Sequence, residues 1–221
     1  MKWKIIASLL LLAAFSCNKA NNQTEEVSKY FDDGRAKACV AIASVIDSSS
    51  SDVNWNLSDE FTNLIKEKVN TKANLFLSTN IENEISTSKN PFSSDISWVK
   101  DSFRENDFVV FAEIIQHKNI PVSKKNQKEE DDSENITKAT NLDMSIRIRI
   151  IDVRGNTPKI ILQEKISDTM YLPKSFLKID YDKITWGTNE YQKTPLFMAH
   201  NSFTKDISAR INEYIILAKN R

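Results

Sequence analysis

Residues 142–155 read LDMSIRIRIIDVRG. Successive side chains of an extended strand point to opposite sides. Leu142, Met144, Ile146, Ile148 and Ile150 therefore share one face, and Asp143, Ser145, Arg147 and Arg149 share the other. This is the pattern of a β-strand with one buried face. Arg154-Gly155-Asn156-Thr157-Pro158 follows with turn chemistry. Ile160, Leu162, Glu164 and Ile166 then resume the period of two, which predicts an antiparallel partner.

Working outward, residues 108–116 and 38–46 are apolar runs of strand length, and residues 75–77 form a shorter one. Between the first two, Ser58 is placed to cap a helix carrying Phe61, Leu64, Ile65, Lys68 and Val69 at helical spacing. Ser94 is placed to cap a second helix with Ile96, Val99 and Phe103. Thr194-Pro195 starts a third, because proline suits the first helical position. Its stripe is Leu196, His200, Phe203, Ile207, Ile211, Tyr214 and Ala218. The order is strand, helix, strand, helix, three strands, helix. It predicts an α/β (α+β) domain over residues 36–221, with one mixed β-sheet of about five strands and helices packed on it.

The N-terminus adds an address. Lys2 and Lys4 precede an apolar run, residues 5–15, that is too short to span a bilayer and of signal-peptide length. Small residues then lead into Cys17. This resembles a bacterial lipobox, which implies a signal peptide over residues 1–16 and a lipid anchor on Cys17. Ala14-x-Ser16 also fits ordinary signal-peptide cleavage. In lipoproteins the residue after the cysteine steers sorting, and by that resemblance Asn18 favours the outer membrane over the inner. Residues 17–35 are rich in Asn, Gln, Glu and Lys, and read as a flexible tether on which Tyr30 and Phe31 could still dock to the fold.

Composition excludes several chemistries. Gly34, Gly155 and Gly187 are the only glycines, so no glycine-rich phosphate loop exists. His117 and His200 are the only histidines, and Cys17 and Cys39 the only cysteines, so zinc-site spacings are absent and no metal or cofactor is expected. With 30 basic and 30 acidic residues, nothing draws the chain to nucleic acid. Cys39, inside an apolar run, reads as an inert core thiol. His200 reads as a core histidine, and His117, at a strand end beside Lys118, as solvent-exposed. Arg147 and Arg149 are expected to pair with acids across the sheet, Glu164 or Asp168. The lysine- and acid-rich residues 120–138 read as a solvated excursion, without the ligand spacing of a calcium loop.

Residues 61–69, the strand NDFVVFAE at 106–113 and IRIRIIDVRG at 146–155 together resemble the α/β domain of envelope lipoproteins of the CsgG, LpoB and TolB N-terminal kind. The C-terminal TPLFMAHNSFTKDISARINEYI is similar to uncharacterised chlamydial-type membrane lipoproteins. The resemblance implies a protein that acts by binding partners at the envelope, and carries over no catalytic residue. The expectation is a non-enzymatic lipoprotein, anchored in the outer membrane and facing the periplasm, that assists an envelope machine. A lipoprotein binding a small molecule or lipid is the alternative. The aromatic insertion at 171–193 supplies the candidate partner-binding residues Tyr171, Phe176, Tyr181, Trp186 and Tyr191, for which the other reading is that they cover the sheet edge and core. A short hydrogen bond from a serine or cysteine to a histidine would point instead to an enzyme.

Overall fold

The computed structural model of the chain describes residues 28–78, 89–121, 140–172, 179 and 183–221. Strands β1 (Ala38–Ile42), β2 (Ile46–Asp47), β3 (Leu75–Leu77), β4 (Phe108–Pro121), β5 (Thr140–Asp152) and β6 (Lys159–Leu172) form one mixed sheet. Its order is β3-β1-β4-β5-β6, with β2 also on β4. β1 runs parallel to β3 and β4, and β2 parallel to β4. β4, β5 and β6 are antiparallel neighbours along nearly their whole length. Parallel neighbours need a crossover, and helix α1 (Leu57–Thr71) lies in the one that leads from β1, by way of β2, to β3.

The apolar run at 38–46 is not one continuous strand. β1 pairs with Phe108 to Val110 and β2 with Glu113 and Ile114, so both use the same edge of β4. Between them the backbone of Val45 turns to α1. Its N–H donates to Thr62 Oγ1 at 2.8 Å, and its carbonyl accepts from Ser58 Oγ. Ser58 is therefore engaged inside the fold, and Asn56 caps α1 by accepting from the Asp59 N–H. A buried backbone group needs a partner wherever the ladder is interrupted, and here the helix provides it.

Helix α1, the one-turn α3 (Asn189–Gln192) and the long α4 (Pro195–Lys219) cover one face of the sheet. Thr194 caps α4, accepting from the Phe197 N–H at 3.1 Å, with Pro195 in the first turn as its sequence predicts. Under these helices Leu142, Met144, Ile146, Ile148 and Ile150 are fully buried, together with Phe61, Ile65, Phe203, Ile207 and Ile211. The opposite face carries a smaller core. Helix α2 (Ser97–Ser102) and the chain before it lay Phe92, Val99 and Phe103 over Val109, Phe111, Ile151 and Val153.

Arg147 and Arg149 lie on that second face and do not pair with Glu164 or Asp168. Arg147 meets Glu113 of β4 and stacks over the Phe92 ring at 4.1 Å. Arg149, only 4% exposed, donates to the carbonyls of Pro91, Phe92 and Ser93 at 2.6–3.0 Å and to Gln163 Oε1. Its guanidinium stitches an irregular segment to the sheet, which a planar fork of donors does well. Arg149→Met should therefore lower the unfolding free energy by about 3 kcal/mol, because several carbonyls lose their donor. Arg147→Met breaks a half-exposed pair and should cost about 1 kcal/mol or less. Urea unfolding of the two variants checks the contrast.

Candidate functional site

The densest polar chemistry lies inside the main core. β4 is regular as far as Ile114, which pairs with Ile146, but the next pair is Gln116 with Ser145. Ile115 is the extra residue of a β-bulge. Up to Ile114 the even-numbered residues of β4 face the helices. After the bulge the parity reverses, so His117 pairs with Met144 and enters the helix layer. It is 4% exposed. The sequence expectation of a solvent-facing His117 is thereby corrected: the strand runs on to Pro121 instead of ending near Gln116, and the bulge turns the ring inward.

His200, on the first turns of α4, meets it from above, with the two Nε2 atoms 2.9 Å apart. His200 Nδ1 is 2.8 Å from Glu60 Oε1 of α1 and 3.0 Å from the Tyr191 hydroxyl of α3. Tyr191 also donates to Glu60 Oε1, and Trp55 Nε1–H donates to Glu60 Oε2 at 2.7 Å. At the outer end, His117 Nδ1 is 2.8 Å from the hydroxyl of Ser51, a half-buried residue between β2 and α1. His200 is thus a core histidine, as its helical stripe indicates, although its ring bonds to side chains and not to backbone.

Charge and burial compete at Glu60. Burial pushes its carboxyl up, but the donors from His200, Tyr191 and Trp55 more than offset that, and it ionises below its ordinary range. Burial, and then the neighbouring His200, hold His117 down to about 4 from its ordinary 6.5. The hydrogen bond expected of an enzyme, serine to histidine, is therefore present. A general base works best with a pKa near the working pH, and His117 sits well below neutrality. The Val53 N–H also donates to the same Ser51 oxygen, at 3.4 Å. The arrangement reads as a polar brace that ties three helices, a loop and a strand together.

The residues proposed for partner contact separate. Tyr171 is 61% exposed near the end of β6. Trp186 is half-buried against the main core. Tyr191 is 1% exposed and belongs to the brace, so its place as a surface anchor is corrected: α3 turns the ring toward Glu60 and Trp55. Phe176, Tyr181 and Cys17 lie outside the described residues, as do residues 122–138 of the charged excursion. Cys39 is half-buried, and burial and then Asp107 raise its thiol pKa, which keeps it protonated. Among the described residues no three His, Cys, Asp or Glu side chains are grouped to hold a metal ion, and no helix is long and apolar enough to cross a membrane.

A model for a family of unknown function, DUF7499, matches residues 26–219. The chain belongs to this family. No curated protein matches it. Among solved structures, the hypothetical protein CT253 of Chlamydia trachomatis shares 24% identity at a TM-score of 0.58, over 81% of this chain and 98% of that one. This likeness shows that the DUF7499 chain shares its fold. The lipoprotein GNA1162 of Neisseria meningitidis (13% identity, TM-score 0.37, 61% and 83% covered) and the PelC dodecamer of Paraburkholderia phytofirmans (8%, 0.40, 77% and 86%) are more distant. At those scores neither bears on the role of this DUF7499 member, and no enzymatic family is indicated.

The brace makes stability depend on pH. His117 binds a proton more weakly folded than unfolded, so its contribution is full above about 6.5 and drains as pH falls toward 4. A shift of that size corresponds to about 3 kcal/mol. Glu60, also lowered, acts with the same sign at lower pH, below its unfolded value. Urea unfolding should show the loss between pH 7 and 4.5, and His117→Gln should flatten it.

Proposed function

We propose that this chain is a lipid-anchored, non-enzymatic envelope protein, acylated at Cys17, that serves as an accessory or assembly partner of an outer-membrane or periplasmic machine. One observation carries the reading: the end of the domain where the chain enters and its apolar surface patch lie at opposite ends of the same strands. The entry end is tied down. Tyr30 bridges to Ala36, and the Phe31 ring has Arg35, Lys37 and Lys219 within 5.5–5.7 Å. Val40, soon after, pairs with Phe108, the first residue of β4. The far end of the sheet aligns Ile120, Asn141 and Tyr171 across three strands, with Ile120 39% and Tyr171 61% exposed. At roughly 3.4 Å per residue the two ends are about 40 Å apart.

An anchor on Cys17 precedes the described fold by about eleven residues, which reach at most about 40 Å when fully extended. Such a protein is held close to one membrane by one end and presents the Ile120–Tyr171 patch away from it. Exposed aromatic side chains such as Tyr171 are frequent anchors of protein contacts. Two outcomes are expected. Intact mass of the membrane-extracted protein shows a chain beginning at Cys17 plus acyl mass; an unmodified Cys17 terminus would sink the anchor. The double variant Ile120→Ser, Tyr171→Ala keeps its unfolding midpoint and loses the envelope proteins that co-purify with the wild type. Normal retention by the stable variant would reject the patch.

A further inference from the structure

The hydrogen-bond chain from Ser51 to Glu60 has a direction, set at its buried end. The Glu60 carboxylate only accepts, and Trp55, Tyr191 and His200 are its donors. His200 therefore carries a proton on Nδ1, and while the histidine pair is neutral its Nε2 is an acceptor. The facing Nε2 of His117 must be the donor. His117 Nδ1 is left bare, and the Ser51 hydroxyl donates to it.

One added proton reverses the outer end wherever it settles. Within the histidine pair the open sites are His117 Nδ1 and His200 Nε2. On His117 Nδ1, the new N–H points at Ser51. On His200 Nε2, it would meet the His117 N–H head-on at 2.9 Å, so His117 must shift to its Nδ1 tautomer, which again points an N–H at Ser51. In both cases Ser51 changes from donor to acceptor, and its own hydrogen turns away.

We propose that this chain is a proton-operated latch: protonation of the histidine pair reverses Ser51 and frees the 48–56 loop while the sheet stays folded. A charged imidazole in the core needs water or a counter-charge. The ionisable groups that face His117 are Glu60 of α1, His200 of α4 and Asp47 of β2. Glu60 already serves three donors, and Asp47 is exposed at the surface. Ser51, which bonds His117 Nδ1, is half-buried and so partly open to water. Besides Ser51, the 48–56 loop is held by the Ser48 N–H on the Ile114 carbonyl, by Ser48 Oγ on Glu113, by Trp55 Nε1–H on Glu60, and by Val53 and Trp55, which pack on the core. Its release uncovers Val53 and Trp55 and takes the Trp55 donor from Glu60, which exposes an apolar surface available only in acid.

The size of the effect follows from the ring. In the opened loop His117 regains its ordinary affinity, near 6.5, against about 4 when closed. Opening is then favoured about 20-fold more at pH 5 than at pH 7. The test is amide hydrogen exchange of the mature protein from pH 7 to 5, corrected for the intrinsic pH dependence of exchange. Residues 48–56 should exchange about 20-fold faster at pH 5 while β5 stays protected, and His117→Gln should show no such rise. A ring-nitrogen NMR titration of the wild type should show His117 Nδ1 gaining its proton over the same range. A loop and β5 that open together, a loop indifferent to pH, a His117→Gln variant that responds like the wild type, or a His117 that stays neutral while the loop opens would each overturn the latch.

Discussion

A carboxylate lies beneath the helices of this domain, and the groups that satisfy it determine how the helix layer closes. Glu60 could not remain ionised there without its three donors, each of which comes from a separate piece of chain: Trp55 from the loop before α1, Tyr191 from α3 and His200 from α4. Meeting that requirement fixes where the one-turn α3 sits and how α4 is rotated about its axis. The apolar stripe of α4 alone would tolerate a small rotation; a ring that must place one nitrogen on Glu60 and the other on His117 would not. The surrounding hydrophobic contacts supply most of the free energy of folding, and the polar brace selects one arrangement among those contacts.

The parts of the fold that were legible in the sequence are those governed by local rules. The alternation at 142–150, the turn after Arg154 and the Thr194-Pro195 start of α4 each record a periodicity or a cap within a few residues. What escaped depends on contacts remote in sequence. The run at 38–46 looks like a single strand because nothing local marks the point where Thr62 and Ser58 take over the backbone of Val45. His117 looks exposed because a β-bulge leaves no reliable composition signal. The density of aromatic residues between β6 and α4 is visible, but not which ring turns inward: Tyr191 does, to reach Glu60 some 131 residues away. Arg149 looks like a cross-strand partner for an acid, whereas it closes off carbonyls that belong to a loop 56–58 residues earlier.

Charge follows the same division between what composition records and what folding makes of it. Thirty basic residues balance thirty acidic ones, yet three cations converge on the Phe31 ring where the chain enters the fold. One of them, Lys219, also donates to the carbonyl of Ala36, so the last turn of α4 is tied to the residues leading into β1. A cation suits a helix C-terminus, and the aromatic face adds a second reason for it to stay. Both ends of the described chain are thereby gathered at one end of the sheet, which is what allows an N-terminal anchor to hold the domain by a single pole.

The single extra residue in β4 connects these features. Because the bulge at Ile115 reverses the alternation, it acts on every residue after it and not on His117 alone. Regular alternation from Ile114 would turn Gln116 and Ile120 toward the helices and leave His117 outside. With the bulge, His117 enters the brace, and Ile120 moves to the opposite face, in line with Asn141 and Tyr171. The buried network and the exposed patch are therefore consequences of one local irregularity in one strand, three residues apart on opposite sides of it. Bulges of this kind are features of a strand that re-aim side chains, and this one has assigned β4 two tasks: its near half pairs with β1 and β2 to build the sheet, and its far half turns His117 into the polar brace and Ile120 out to the surface.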